Sequence, residues 1–196
     1  MKRFFHPMLV LMAGAVLAGC ETQETTEDSL TAMDTLVTEV EQPTGTASIQ
    51  VTLRAPDGTQ LGTATLRQAE GGVEISLEAQ GLPAGEHGFH IHETGGCEAP
   101  DFASAGGHFN PTEREHGFDA PAGPHAGDLR NITVQEDGTV THTTLAENVT
   151  LQRGQQTSLL RDGGTALVIH AGPDDYTSQP SGDAGARLAC GVIEGS

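Results

Sequence analysis

Residues 47–80 read ASIQVTLRAPDGTQLGTATLRQAEGGVEISLEAQ. Polar and apolar residues alternate through ASIQVTLRA (47–55), GTATLRQ (62–68) and GVEISLEAQ (72–80). That is the period of strands with one face on a core and the other in water. APDGTQ and AEGG separate the three runs, and Asp-Gly or Gly-Gly turns of this kind join antiparallel neighbours. The body of the chain therefore starts as an antiparallel meander.

The same pattern continues outward through HGFHIH (87–92), ITVQE (132–136), VTHTTLA (140–146), TALVIHA (165–171) and RLACGVI (187–193), with Asp137-Gly138 as a further turn. With 196 residues, 26 glycines, ten prolines and 36% hydrophobic content, the composition suits one modest, turn-rich domain. The expected fold is all-β: an eight-stranded antiparallel Greek-key flattened barrel or sandwich over residues 46–196. Two connections, of about 36 residues (93–128) and about 15 residues (172–186), are too long for turns. Structureless loops of that size usually carry function.

Ahead of the domain, MKRFFHPMLVLMAGAVLAGC (1–20) places Lys2 and Arg3 before an apolar run that ends in small residues, the build of a secretory signal. Leu17-Ala18-Gly19-Cys20 resembles the lipobox of bacterial lipoproteins, which implies a leader over 1–19 and a lipid-modified Cys20 as the mature N-terminus. Several acyl chains on one residue suffice for stable membrane attachment. Residues 20–45 carry seven carboxylates and no basic residue, so they read as an acidic flexible tether. The expected location is the bacterial cell envelope, periplasmic or associated with the outer membrane.

With Cys20 assigned to lipid, Cys97 and Cys190 remain as an even pair in an oxidising compartment, which predicts a disulfide. A Cys/His metal site is the alternative, weakened by the lack of a short Cys-x-x-Cys spacing.

In GFHIHETGGC (88–97), alternation sends His90 and His92 to one face of a strand and Phe89 and Ile91 to the other. The loop GGHFNPTEREHGFDAPAGPHAGD then carries His108, His116, His125 and Asp128. Three imidazoles and a carboxylate form a tetrahedral set suited to zinc, with no position left for solvent. His170 stands at the end of TALVIHA, just before the second long loop. With His90, His92 and one loop histidine it makes an all-imidazole set, which suits copper as well as zinc. His87 reads as a hydrogen-bonded structural residue and His142 as a surface one. Asn131-Ile-Thr and Asn148-Val-Thr fit a glycosylation pattern, but in a bacterial lipoprotein they read as plain surface residues.

GFHIHE, GGHFNP, EREHG, PHAGDL, LVIHAG and AGARLACGVI, in this order and spacing, resemble the Cu,Zn superoxide dismutase family over about residues 46–196. The resemblance implies copper on His90, His92, His108 and His170, and zinc on His108, His116, His125 and Asp128. His108 bridges the two metals in that scheme. Asp174 then links His90 to His116 through their outer nitrogens, and Arg187 attracts the anionic substrate beside the copper. The implied reaction is dismutation of superoxide to O2 and H2O2, with His108 and Arg187 as catalytic residues. The family includes monomers and dimers, so a homodimer is one arrangement open to the chain.

One feature departs from the family habit. The net charge is −18, and the only lysine, Lys2, lies in the leader. Nucleic-acid binding is disfavoured at that charge. Long-range attraction of superoxide is weakened too, although screening over a Debye length of about 8 Å leaves Arg187 free to act locally. An acidic, lysine-free surface of this kind suits saline surroundings.

Overall fold

Alternation in the first three runs sends Val51, Leu53, Ala64, Leu66, Val73, Ile75 and Leu77 inward, and all seven are buried. The computed structural model describes residues 48–195; the leader, Cys20 and the acidic tether lie outside the described residues. The strands are β1 (Ser48–Arg54), β2 (Gln60–Ala69), β3 (Gly72–Ala79), β4 (Gly85–His87) and β5 (Phe89–His92). They continue as β6 (Ile132–Val134), β7 (Val140–Glu147), β8 (Thr165–His170) and β9 (Arg187–Ile193). A 3-10 turn at Ala103–Ala105 is the only helical element among the described residues.

Seven strands form one antiparallel sheet in the order β5-β8-β9-β1-β2-β3-β7, and β4 pairs with β6. β4 runs into β5 through Gly88, and β6 meets β7 at the Asp137-Gly138 turn, so the sheet curls round on itself. Going round, β7 and β6 separate β3 from β4, while β6 and the β4–β5 pair separate β7 from β8. These two crossing connections make the Greek key. The core fills the inside, with Phe89, Ile91, Phe109, Leu129, Ile132, Leu159, Leu167 and Ile169 almost wholly enclosed. Full burial of one such side chain contributes about 1.5–3 kcal/mol.

The structure refines the sequence reading in two places. The single expected strand HGFHIH is two strands, because Gly88 leaves the ladder to receive the second long loop. Its N–H donates to Gly172 O at 2.8 Å, and its carbonyl accepts from His170 N–H at 2.8 Å. A Cβ at Gly88 would lie 2.9 Å from the Ala184 Cβ. The second correction concerns His142, which does not face the solvent. Register settles this: Val51 pairs with Ala64, Ala64 with Leu77 and Leu77 with His142, so His142 extends an inward row. Its ring is half-buried, edge-on to Phe89 at 6.5 Å between centroids, and burial pushes its pKa down.

Cys97 and Cys190 form a disulfide with Cα atoms 5.6 Å apart, which removes the Cys/His metal alternative. It closes a separation of 93 residues. In the chain-entropy account, a loop of that size is worth roughly 4–5 kcal/mol.

Candidate metal centre

The centre lies where β5, the end of β8 and the start of β9 meet the two long loops. His90 and His92 sit on β5 opposite Val168 and Ala166 of β8. At the end of β8 the register slips between Ile169 and His170, which sets His170 against Arg187. Irregularities of this kind re-aim a side chain. The free edge of β5 is covered by the first loop: Phe109 N–H donates to Ile91 O and Ile91 N–H donates to Gly127 O, each at 2.8 Å. Gly127 has no room for a Cβ against the Ile91 carbonyl. Isolated bridges His92↔His108 and His90↔Asp128 thereby bring loop residues beside strand residues.

Two clusters result, and in each the candidate ligand atoms lie within 4.8 Å of one another. The all-imidazole cluster is His90, His92, His108 and His170; the aspartate cluster is His108, His116, His125 and Asp128. Every metal-ligand candidate named from the sequence is in one of them, and His108 is in both.

Hydrogen bonds define which nitrogens are free. His92 Nδ1 donates to Gly106 O at 3.0 Å and His170 Nδ1 to Gly185 O at 3.2 Å, so both Nε2 atoms carry lone pairs. These two Nε2 atoms face each other at 3.3 Å with no proton to share. His90 is turned the other way, donating Nε2–H to Asp174 Oδ2 at 2.7 Å, and its buried Nδ1 has no partner. His108 Nε2 is likewise buried and unpartnered. Converging lone pairs without protons are what a cation needs.

In the aspartate cluster, Asp128 Oδ1 lies 2.8 Å from His108 Nδ1, 3.1 Å from His116 Nδ1 and 3.2 Å from His125 Nδ1. Its Oδ2 accepts from Gly117 N–H at 2.8 Å and His125 N–H at 2.9 Å, which fixes the carboxylate. The set of three imidazole nitrogens and one carboxylate oxygen fits a tetrahedral zinc.

Asp174 ties the clusters together behind the ligands. Oδ2 takes His90 Nε2–H, and Oδ1 takes His116 Nε2–H at 3.0 Å and Tyr176 N–H at 2.7 Å. Such partners orient ligand rings and raise their basicity. Gly182 closes over this carboxylate at φ 70°, and a Cβ there would lie 2.7 Å from His116 Nε2.

Electrostatics separate the two halves. Burial, together with neighbouring imidazoles, lowers His92 to about 2, His170 to about 3 and His108 to about 4, so these rings are neutral at pH 7. For His116, burial opposes the charge, but bonds to Asp128 and Asp174 outweigh it and raise the ring to about 9. For Asp128, burial is overcome by His108, His116, His125 and the Gly117 amide, which hold it far below the usual carboxylate range.

Arg187 opens β9 at the rim. Burial lowers its pKa, yet a guanidinium stays charged. It donates to Phe102 O and Gly106 O, each at 2.6 Å. It borders a cleft of about 660 Å³ together with His92, His108, His170, Glu93 and Ser181. His87 is buried at the back, its ring nitrogens 2.8 Å from Pro83 O and His170 O, a structural tie to a ligand strand.

Sequence reasoning missed Asn131. Its side chain accepts from Asp174 N–H and donates to Asp174 O, each at 2.9 Å, and so docks the second loop onto the first. Far from being a plain surface residue, it is committed on both sides of its amide, and only its distance of 43 residues from Asp174 hid this.

Residues 60–193 match the family described as copper/zinc superoxide dismutase (SODC). A superoxide dismutase [Cu-Zn] of Aquifex aeolicus is 54% identical over 138 residues, covering 70% of this chain and 82% of the relative. A superoxide dismutase-like protein of Bacillus subtilis is 37% identical over 195 residues, 97% of each chain. The crystal structure of a SOD-like protein from Bacillus subtilis superposes with a TM-score of 0.72 at 41% identity, over 75% of this chain and 99% of that one. With the ligand atoms gathered as they are and the matched region spanning all but the first strand, the chain belongs to the copper/zinc superoxide dismutase family.

Proposed function

We propose that this chain dismutes superoxide to O2 and H2O2 outside the cytoplasm, with copper on His90, His92, His108 and His170 and zinc on His108, His116, His125 and Asp128. The observation that carries the reading is His108. Its Nδ1 faces Asp128 at 2.8 Å while its Nε2 is buried, unpartnered, among the rings of His90, His92 and His170. Imidazole does not lose its second proton at neutral pH, so one ring serves two cations only when both are present.

Bound copper supplies the electron exchange, oxidising one superoxide to O2 and reducing a second, which leaves with two protons as H2O2. The chain does the rest. Arg187 attracts and orients the anion at the cleft. His108 Nε2, which would hold either copper or a proton but not both, would deliver one of the two protons to the peroxide product when free of the metal, with solvent supplying the other, while the aspartate cluster holds its Nδ1 side in place. Asp174 and the carbonyls of Gly106 and Gly185 fix the remaining rings.

Metal analysis and turnover of the wild type beside His108→Ala and Arg187→Ala test the reading. One copper and one zinc per chain are expected, with turnover falling about 100-fold or more for His108→Ala and about tenfold or more for Arg187→Ala. Wild-type turnover in either variant removes that residue from the mechanism. With a net charge of −18 and Glu93 beside Arg187 in the cleft, turnover holds steady or rises with ionic strength; a steep fall rejects this and the saline reading with it.

The Cys97–Cys190 disulfide supports an oxidising compartment. The leader pattern supports attachment to a bacterial envelope membrane through lipidated Cys20, read by mass spectrometry of the native N-terminus. Sedimentation distinguishes the monomer from a homodimer.

A further inference from the structure

We propose that Glu93 is a positioning residue for this centre: its carboxylate holds the Gly106–Gly107 peptide, whose carbonyl orients His92 and Arg187 together. The inference rests on the copper and arginine roles given above and extends them to a residue outside both clusters.

Glu93 follows His92 at the point where β5 ends, and it is exposed at the cleft mouth. Its side chain nevertheless turns back onto the protein, where Oε1 accepts from Gly107 N–H at 3.0 Å. Its backbone N–H donates to Gly107 O at 2.9 Å. The Gly107 N–H and the Gly106 carbonyl are opposite ends of one peptide plane. That carbonyl accepts from His92 Nδ1 at 3.0 Å and from Arg187 Nη2 at 2.6 Å. One planar unit thus has the Glu93 carboxylate on one side and, on the other, both a ring of the all-imidazole cluster and the anion-attracting cation. Gly106 has φ 73°, and a Cβ on it would lie 2.8 Å from Glu93 Cγ, so the carboxylate arm lies directly over the glycine.

A peptide between glycines has no side chain of its own to hold its orientation, and a charged acceptor on its N–H is a strong external restraint. By charge alone, Glu93 opposes an approaching anion. By its hydrogen bond, it keeps Arg187 and His92 where they favour one. The two effects have opposite signs, so they can be told apart.

The test uses full-length, copper- and zinc-loaded protein titrated with azide, a small anion whose binding to cupric copper is read from its charge-transfer band. Glu93→Ala removes a negative charge yet is expected to weaken azide binding about two- to tenfold, the effect of one lost hydrogen bond. Glu93→Gln, whose amide oxygen still accepts from Gly107, is expected to bind azide at least as tightly as wild type. A Glu93→Ala protein that binds azide as tightly as wild type overturns the proposal, and so does a Glu93→Gln protein as weak as Glu93→Ala. Unchanged azide affinity in Arg187→Ala overturns the arginine's role instead. The cupric EPR spectrum then decides on Glu93 through His92 alone: it shifts in Glu93→Ala and recovers in Glu93→Gln, and an unshifted Glu93→Ala spectrum overturns the proposal.

Discussion

The two clusters share His108 but are built by different means. In the all-imidazole cluster, His90, His92 and His170 stand on β5 and β8, which are held by ladder hydrogen bonds and buried apolar partners. In the aspartate cluster, His116, His125 and Asp128 stand on a loop with no strand among them, gathered around one carboxylate. The first is a site that a finished barrel presents. The second is a site that holds its own loop in shape, so its ligands stabilise the very segment that carries them. Electrostatics follow the same division, with His92 and His170 neutral on their strands and an ionic His116–Asp128–Asp174 chain in the loops.

The largest expected break in this comparison is Asp128→Ala. It removes the carboxylate that three imidazole nitrogens face and that two loop amides bond, and deleting one partner of a buried ionic cluster costs about 3–5 kcal/mol. His170→Ala deletes a strand-borne ring whose outer hydrogen bond is worth about 1 kcal/mol. Denaturant unfolding of the metal-free variants measures both, and equal losses would dissolve the distinction. Next in size is Asp174→Ala, which frees His90 and His116 at once. A loss of about 10- to 100-fold in metal affinity is expected. The zinc side should suffer more, because β5 still positions His90; chelator competition for each metal reads the difference.

The smallest effect belongs to Asp175, an exposed loop carboxylate. It accepts from Ser178 Oγ–H, Ser178 N–H and Thr177 N–H, which lower its pKa to about 2. A carboxylate depressed on folding stabilises the protein above its unfolded value of about 4 and loses that contribution as pH falls through about 2. Asp175→Asn is therefore slightly less stable than wild type at pH 6, and the gap narrows below pH 4. A gap independent of pH would show that the turn, not the charge, matters.

The strands were legible because burial on one face imposes a period of two, and the paired registers of β1, β2, β3 and β7 follow it apart from one slip between Leu53 and Arg54. The candidate ligand sets were legible because most of the nine histidines fall in or beside the two long loops and ligand chemistry is specific. What escaped the sequence were bonds made to distant backbone. Glu93 to Gly107, Asn131 to Asp174 and Gly88 to Gly172 leave no residue pattern, since every residue but proline offers the same N–H and every residue the same carbonyl. His142 escaped for a different reason. Alternation within VTHTTLA separates two faces but does not say which one is inside, and only pairing with Leu77 decides it.

Gly182 sets a limit for anyone who would transplant or redesign this centre. A Cβ on it would collide with the Asp174 carboxylate that bonds His90 and His116, and its left-handed backbone resists any side chain. The second loop has no slack at this residue, so a single methyl is registered by both halves of the site.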